Sequence, residues 1–410
     1  MPEHYDALET RDPEERERAL FAALPAQLAH ARAKSRHYAR LLADVDPREV
    51  DSRSALAKLP VTRKSELPHL QKVEAPFGGL NATPASGLAR IFMSPGPIFD
   101  PEGRRPDYWR TARTLFAAGF RPGDVALNCF SYHLTPAGSM LETGLHHLGC
   151  AVIPGGVGQT ELQAQAIAQL APSGYVGTPS FLKLIVEKCD ELAVASGCLA
   201  RALLSGEAFL PPVRAFLSER GIDAFQAYGT ADLGMVAYET PAREGLVVNE
   251  ELIVEIVRPG TGDAVAEGEV GEVVVTAFNA DYPLVRFATG DLSAALAGAS
   301  PCGRTNVRIK GWMGRADQAT KVRGMFVHPH QVAEVLRRHG VARGRLVVEN
   351  HGGEDRMTLC IEHPAADAAF VAAMEATLRD VMKLRGTVAC SASGSLANDG
   401  KVIDDARRYA

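Results

Sequence analysis

Between Pro283 and Gln331 the chain carries three turns whose charged groups suit a nucleotide. Asp291 follows a Thr-Gly turn, Arg315 sits in a Gly-Arg-x-Asp junction that ends at Asp317, and Arg323-Gly324 forms a turn flanked by basic residues. A carboxylate at a buried turn can accept two hydrogen bonds from a vicinal diol, and a guanidinium can pair with phosphate oxygens through a fork of N–H groups. Taken singly, each is an ordinary polar turn with a solvated charge. Their succession within one segment is what points to a nucleotide.

Such turns need a scaffold. From about residue 88 the strand-like runs RIFMS, DVALNCF, AVIPGG and YVGTP alternate with the helical stretches YWRTARTLFAAG, GSMLETGLHHLG, ELQAQAIAQLA and FLKLIVEKCDELA. That alternation predicts parallel strands with helices on both faces. Ahead of it, ERERALFAALPAQLAHARAKSRHYARLLADV predicts one or two amphipathic helices in an N-terminal helical region spanning 1–60. Between Val248 and Ala288, ELIVEIVRP, GEVVVTAF and PLVRFA predict an antiparallel β subdomain. After Asp317 the order helix, strand pair, helix, strand suits a small α+β domain of the ferredoxin-like kind. The expected fold class is therefore α/β, with a large domain of mixed β-sheets and flanking helices over 1–315 and a small C-terminal domain over 316–410.

Composition sets limits on function. A chain of 410 residues is too long for one ordinary core. Charged residues at 23% and aromatics at 6% are globular values. A net charge of -5, with no basic stripe, gives no reason to expect nucleic acid or anionic lipid as partner. No apolar run approaches the roughly 18 residues of a membrane span, and the acidic, amphipathic N-terminus is unlike a secretory signal, so no membrane association and a cytoplasmic location are expected. The seven cysteines include no CxxC pair, so neither a disulfide framework nor structural zinc is expected. His328 and His330 flank Pro329 without a Cys or carboxylate at matching spacing, and read as surface residues. Nothing here sets the oligomeric state; a homodimer is allowed.

The order of the motifs carries a resemblance. Gly290-Asp291, Pro301-Cys-Gly-Arg-Thr305, Gly314-Arg315-x-Asp317 and Arg323-Gly324 ahead of Val327-x-Pro329 follow SGEAFLPPVRAFLSERGIDAFQAYGTADLGMVAYE (205–239), RPGDVALNCFSYHLTPAG and LGCAVIPGGVGQTELQ. Over most of the chain beyond about residue 85 this arrangement resembles the phenylacetate-CoA ligase family of adenylate-forming, AMP-binding enzymes. The resemblance implies activation of a small aromatic or arylacetic carboxylic acid by ATP to an acyl-adenylate, then transfer to coenzyme A, with Mg2+ as the metal.

Residue roles follow from the resemblance by position. Ser205, Gly206 and Glu207 match the adenine-contacting turn. In Tyr228-Gly229-Thr230-Ala231-Asp232, the tyrosine would stack on adenine and Asp232 would hold Mg2+. Asp291 would bind the ribose and Arg315 the phosphates, Asp317 would be the hinge of a mobile C-terminal domain, and Lys401 would reach the α-phosphate during adenylation. Arg323 and Gly324 would contact coenzyme A, while Phe130, Tyr132 and His133 would line the acyl pocket. The first cysteine of a metal-holding Cys-x-Cys is Ser300 here, and Thr240 and Val247 stand near where upstream ligands belong, which leaves Cys302 alone.

The sequence departs from the family in three places. Asp232 replaces Glu and shortens its reach by one methylene. Ala231 removes a hydroxyl, and a hydrogen bond to a charged group contributes roughly 1.5–3 kcal/mol. At the phosphate loop, Ser94-Pro-Gly96-Pro replaces a Ser/Thr/Gly-rich run ending in lysine, and its prolines lack the N–H donors of a phosphate cradle. Arg104 and Arg105 are the candidates to supply that missing charge. Two alternatives follow: an adenylating enzyme with another acyl acceptor, or a non-catalytic nucleotide or acyl-CoA binding homologue.

Overall fold

The computed structural model describes residues 3–316, 320–323, 325–351, 354–363, 366–399 and 401–407. The first long helix, Pro13–Lys34, starts where Asp12 accepts hydrogen bonds from the amides of Glu14 and Glu15 and a proline fills the first turn. Its Phe21, Leu24, Leu28 and Ala31 recur at helical spacing and are buried. They pack with Tyr38, Phe77, Tyr282 and Phe287 against strands that include Leu252, Val273 and Val275. The N-terminal helical region is thereby fixed to the β subdomain.

That subdomain is a four-stranded sheet ordered Thr62–Arg63, Phe287–Ser293, Gly271–Ala277, Leu252–Val257. The strands expected from ELIVEIVRP and GEVVVTAF are there, but the third starts only at Phe287, at the end of PLVRFA, and runs on through the Thr289-Gly290-Asp291 turn motif. The edge strand Thr62–Arg63 is an addition: it runs parallel to Phe287–Ser293, with Thr62 opposite Phe287 and Arg63 opposite Ala288.

The largest sheet has nine strands among the described residues, and the five at one end are parallel, in spatial order Asp223–Thr230, Arg201–Leu204, Gly174–Gly177, Val125–Asn128 and Ala151–Ile153. Alternate residues divide its two faces. Val176, Leu203 and Phe225 meet the helices Thr111–Ala117 and Ala137–Leu148 on one side. Tyr175, Ala202, Leu204 and Ala224 meet Thr160–Leu170, Pro179–Glu191 and Pro211–Glu219 on the other. The helix expected from YWRTARTLFAAG begins only at Thr111, because Asp107 accepts hydrogen bonds from the amides of Thr111 and Ala112 while Arg110 takes a left-handed backbone.

RIFMS does not join the parallel series. Arg90–Ser94 pairs with Ile98–Glu102 as a separate antiparallel hairpin, in register Phe92 opposite Asp100 and Ser94 opposite Ile98. The tail is an α+β domain with its own core of Val332, Leu346, Leu359, Met374 and Leu378. Its sheet order is Thr387–Ser391, Glu354–Glu362, Gly344–His351, Ile403–Asp405. The strand before its first helix, Met325–Val327, pairs instead with Thr320–Val322.

Candidate active site

Asp291 ends the run that Thr289 and Gly290 begin on a central strand of the β subdomain. Both oxygens of its carboxylate are engaged. One oxygen accepts from Trp312 Nε1 at 3.1 Å and from Arg315 Nη1 at 2.9 Å, and the other from the Tyr228 hydroxyl at 2.9 Å. The Tyr228 hydroxyl also lies 3.1 Å from Thr289 Oγ1. Burial, then the Asp291 charge, pushes the Tyr228 phenol well above its usual range, so it stays a donor. Tyr228 is thus a buried partner of Asp291, with its ring in the hydrophobic core. The backbone closes the same region, since Asp291 and Arg315 form an isolated β-bridge and Ala316 N donates to Gly290 O at 2.7 Å.

The second cluster was not foreseen in the sequence. The parallel pairing of Thr62–Arg63 delivers Lys64 beside the strand that bears Asp291. Lys64 Nζ meets Asp232 Oδ2 at 2.5 Å, and the Asp232 side chain has no exposed surface. Burial opposes the charge on Lys64, but Asp232, then Asp100 and Asp291, more than offset it, so the pKa of Lys64 rises. Asp232 itself lies in the turn between Asp223–Thr230 and Gly234–Glu239, where Thr230 Oγ1 accepts from Leu233 N at 3.1 Å. Gly234 ends that turn at φ +76, and a Cβ there would stand 2.6 Å from the Trp109 carbonyl oxygen, so only glycine fits.

Asp100, on the hairpin, completes this cluster. It is fully buried, and neither of its carboxylate oxygens has a hydrogen-bond partner; Asp232 Oδ1 and the Tyr282 hydroxyl are in the same position. Burial and then the neighbouring Asp232 charge hold the Asp100 carboxyl well above the ordinary carboxylate range. A sequence signal existed. In Ile98-Phe99-Asp100-Pro101 the aspartate alternates in phase with Ile98, on the buried side of the strand.

The remaining candidates are distributed more widely. Ser205 Oγ donates to Ala227 O at 2.9 Å, and Glu207 accepts from Ser180 N at 2.6 Å. Gly206 has φ +85, and a Cβ there would meet Phe130 Cε1 at 3.7 Å, which joins the adenine-turn and acyl-pocket candidates. Phe130 is buried, the Tyr132 hydroxyl accepts from Asn128 Nδ2 at 2.8 Å, and His133 is exposed. Gly229 faces the Gly234 carbonyl, where a Cβ would approach to 2.7 Å. Ser94 and Gly96 lie at the hairpin turn, with Ser94 Oγ 3.4 Å from Ile98 O.

Arg104 and Arg105 are engaged elsewhere. Arg104 Nε donates to Gly87 O at 3.1 Å, and Arg105 pairs with Glu251 at 3.0 Å. Lys401 lies 3.3 Å from Asp404, within the C-terminal domain, and Arg323 donates to the Asp355 carbonyl from Nε at 3.0 Å. Asp317 and Gly324 lie outside the described residues. Cys302 has Ser300 Oγ at 3.1 Å. Burial raises its pKa, but hydrogen bonds from Ser300, Thr240 and Arg304 outweigh that and bring the thiol down to about 7.

A magnesium ion fits one atom of this site on structural grounds: Asp232 Oδ1 is a buried carboxylate oxygen with no partner. Among the described residues, no group of three His, Cys, Asp or Glu side chains could hold a metal ion alone. That donor set suits an ion completed by water and phosphate oxygens.

A family model described as AMP-binding enzyme matches residues 108–279, which span the parallel sheet, Tyr228 and Asp232. The architecture is that of the AMP-binding enzymes. The phenylacetate-coenzyme A ligase of Thermus thermophilus is 32% identical over 370 residues, covering 85% of this chain and 82% of that protein. The Escherichia coli phenylacetate-coenzyme A ligase is 30% identical over 377 residues, covering 87% and 84%. A crystal structure of 2-hydroxyisobutyryl-CoA ligase in complex with 2-HIB-AMP shares the fold at TM-score 0.73 and 23% identity, covering 98% of this chain and 92% of that one. The chain belongs to the phenylacetate-coenzyme A ligase family.

Proposed function

We propose that this protein is an ATP-dependent carboxylate-CoA ligase that activates a small aromatic or arylacetic acid through an acyl-adenylate. The observation that carries this reading is that the half-buried Lys64 pairs with Asp232 at 2.5 Å, while the charges of Asp100 and Asp291 also raise its pKa. The ribose-suited and phosphate-suited groups therefore belong to one site.

In the first half-reaction a carboxylate oxygen attacks the α-phosphorus, the bond to the bridging oxygen breaks, and pyrophosphate leaves with the electron pair. Two anions meet, so positive charge must be in place beforehand. Lys64 supplies one cation. Lys401 supplies another when the C-terminal domain brings it from Asp404 to the α-phosphate. Asp291 exchanges Trp312 and Arg315 for the two ribose hydroxyls, and Arg315 turns to a phosphate oxygen. Asp232 would hold magnesium, which supplies charge neutralisation for the triphosphate. In the second half-reaction the coenzyme A sulfur attacks the acyl carbon, the acyl C–O bond breaks, AMP leaves and the thiol proton passes to solvent. Arg323 and Gly324 are the residues we assign to coenzyme A. Phe130 beside Gly206 favours a flat, apolar acyl group.

A second reading, a nucleotide-binding homologue without turnover, is favoured by one observation. The segment that should cradle phosphate is a closed hairpin with Pro95 and Pro97 at its turn and the unpartnered Asp100 in its second strand. Pyrophosphate release across a panel of carboxylic acids, with and without coenzyme A, separates the readings. Release with accumulation of the CoA thioester is expected. Release without thioester would assign another acceptor, and AMP binding without release from any acid would assign the second reading.

A further inference from the structure

We propose that Asp100 and Asp232 form a divalent-cation site that loads with an ion of the magnesium or manganese type before nucleotide arrives. The inference rests on the assignment of Asp232 as a cation ligand and adds a second protein carboxylate to it.

Charge supplies the first argument. Asp100 and Asp232 are both buried, and Lys64, the cation paired with Asp232, occupies only its Oδ2. With both acids ionised, Asp100, Asp232 and Lys64 together carry a net charge of about -1 in a setting where an uncompensated charge is strongly unfavourable. Two remedies exist: a proton shared by the carboxyls, or a metal ion.

Unpartnered atoms supply the second. Both oxygens of Asp100, Oδ1 of Asp232 and the hydroxyl of Tyr282 are buried oxygens with no hydrogen-bond partner. Tyr282 is 1% exposed, and burial, then the charges of Asp232 and Asp100, push its phenol well above the usual range. Asp100 neighbours Asp232 and Ser94, and among the charges that act on it Asp232 comes first. A shared proton satisfies one oxygen of each acid and leaves the rest unpartnered. An oxygen-seeking ion uses the carboxylates and hydroxyls at once, and water or phosphate can fill its other positions.

The hairpin supplies the third. A loop built of backbone amides attracts anions, but here Pro95 and Pro97 have no N–H and Asp100 projects from the following strand. This side of the site has exchanged an anion cradle for a cation ligand. Phosphate would then be attracted through the ion rather than through loop amides.

The test uses the full chain, stripped of metal and nucleotide, titrated with Mn2+ while free ion is counted by electron paramagnetic resonance. One ion bound per chain is expected. Asp100→Asn and Asp232→Asn should each weaken binding by about tenfold or more. No Mn2+ bound without nucleotide overturns the proposal, as does an Asp100→Asn variant that binds as tightly as the wild type. Thermal unfolding of the nucleotide-free wild type guards against a variant that fails to fold: Mn2+ should raise its Tm saturably, and an unchanged Tm is again an overturning result. The ligase reading stands or falls separately, on pyrophosphate release.

Discussion

Asp291 and Asp100 are buried aspartates in one site with opposite surroundings. Asp291 has every carboxylate oxygen engaged, by Trp312, Arg315 and Tyr228. Asp100 has both oxygens empty-handed and faces another acid. A carboxylate engaged at both oxygens is positioned and stable, and in the proposed ribose role it must surrender bonds before it can act. An unsatisfied one strains the apo protein, and any suitable ligand relieves it. The two halves of the site thus stand at opposite ends of preorganisation: one is assembled and must open, the other is open and must be filled.

The largest expected effect tests whether Lys64 alone can serve as the cation for adenylation. Lys401→Ala should lower acid-dependent pyrophosphate release by about a hundredfold or more, while thioester formation from supplied acyl-adenylate stays near wild type. Retained release would assign the charge to Lys64 and leave Lys401 without a role.

Next is the tie between the acids. Lys64→Met leaves two buried carboxylates uncompensated, and urea unfolding should show a loss of about 3 kcal/mol. Adding Asp100→Asn should recover part of it. A double variant no more stable than Lys64→Met would break the link between Lys64 and Asp100.

Asp291→Asn should weaken AMP binding by about tenfold to a hundredfold, the equivalent of one charged hydrogen bond, measured by calorimetry. Affinity within twofold of wild type would show that the saturated carboxylate never opens for ribose.

A pH series separates the aspartates further. Because the folded-state pKa of Asp100 is raised, its ionisation costs the native state stability as pH climbs from about 4, the unfolded value, towards the folded value. Asn carries no such dependence. In EDTA, the Tm advantage of Asp100→Asn over wild type should therefore grow between pH 4 and pH 7; a constant difference would mean that Asp100 is not strained.

The smallest effect concerns Trp312. The chain has two tryptophans, and Trp109 is buried while Trp312 is half exposed and bonded to Asp291. Saturating AMP should change the intrinsic fluorescence, and Trp312→Phe should abolish that change while tightening AMP by a few-fold. A signal that persists in the variant would place the change at Trp109.

The same contrast explains what was legible in the sequence. Asp291, Arg315 and Tyr228 stand out because glycine turns beside them announce special backbone, and local turn chemistry is readable one segment at a time. The strand–helix alternation likewise exposed the parallel sheet. Lys64 was hidden because its position depends on a two-residue strand pairing with Phe287–Ser293, a long-range contact that leaves no periodic trace. Asp100 was visible as an acid in an apolar strand, but Pro95-Gly96-Pro97 suggested a stiffened loop rather than the turn of a hairpin. Arg104 and Arg105 were adjacent in sequence to that loop and found partners at Gly87 and Glu251 instead, since neighbours along an extended chain diverge quickly in space.

The clasp at Asp291 has one more consequence. Arg315 and Trp312 belong to the stretch that leads out of the large domain, and the bridge between Asp291 and Arg315 fastens that stretch at its last described turn before residue 317. Whatever draws Asp291 away from them also slackens the tether on which the C-terminal domain hangs. On the proposed reading of Asp291, ribose recognition and the hold on that stretch are two readings of a single equilibrium. By reciprocity, a domain that pulls harder on its tether must also sharpen the grip on nucleotide.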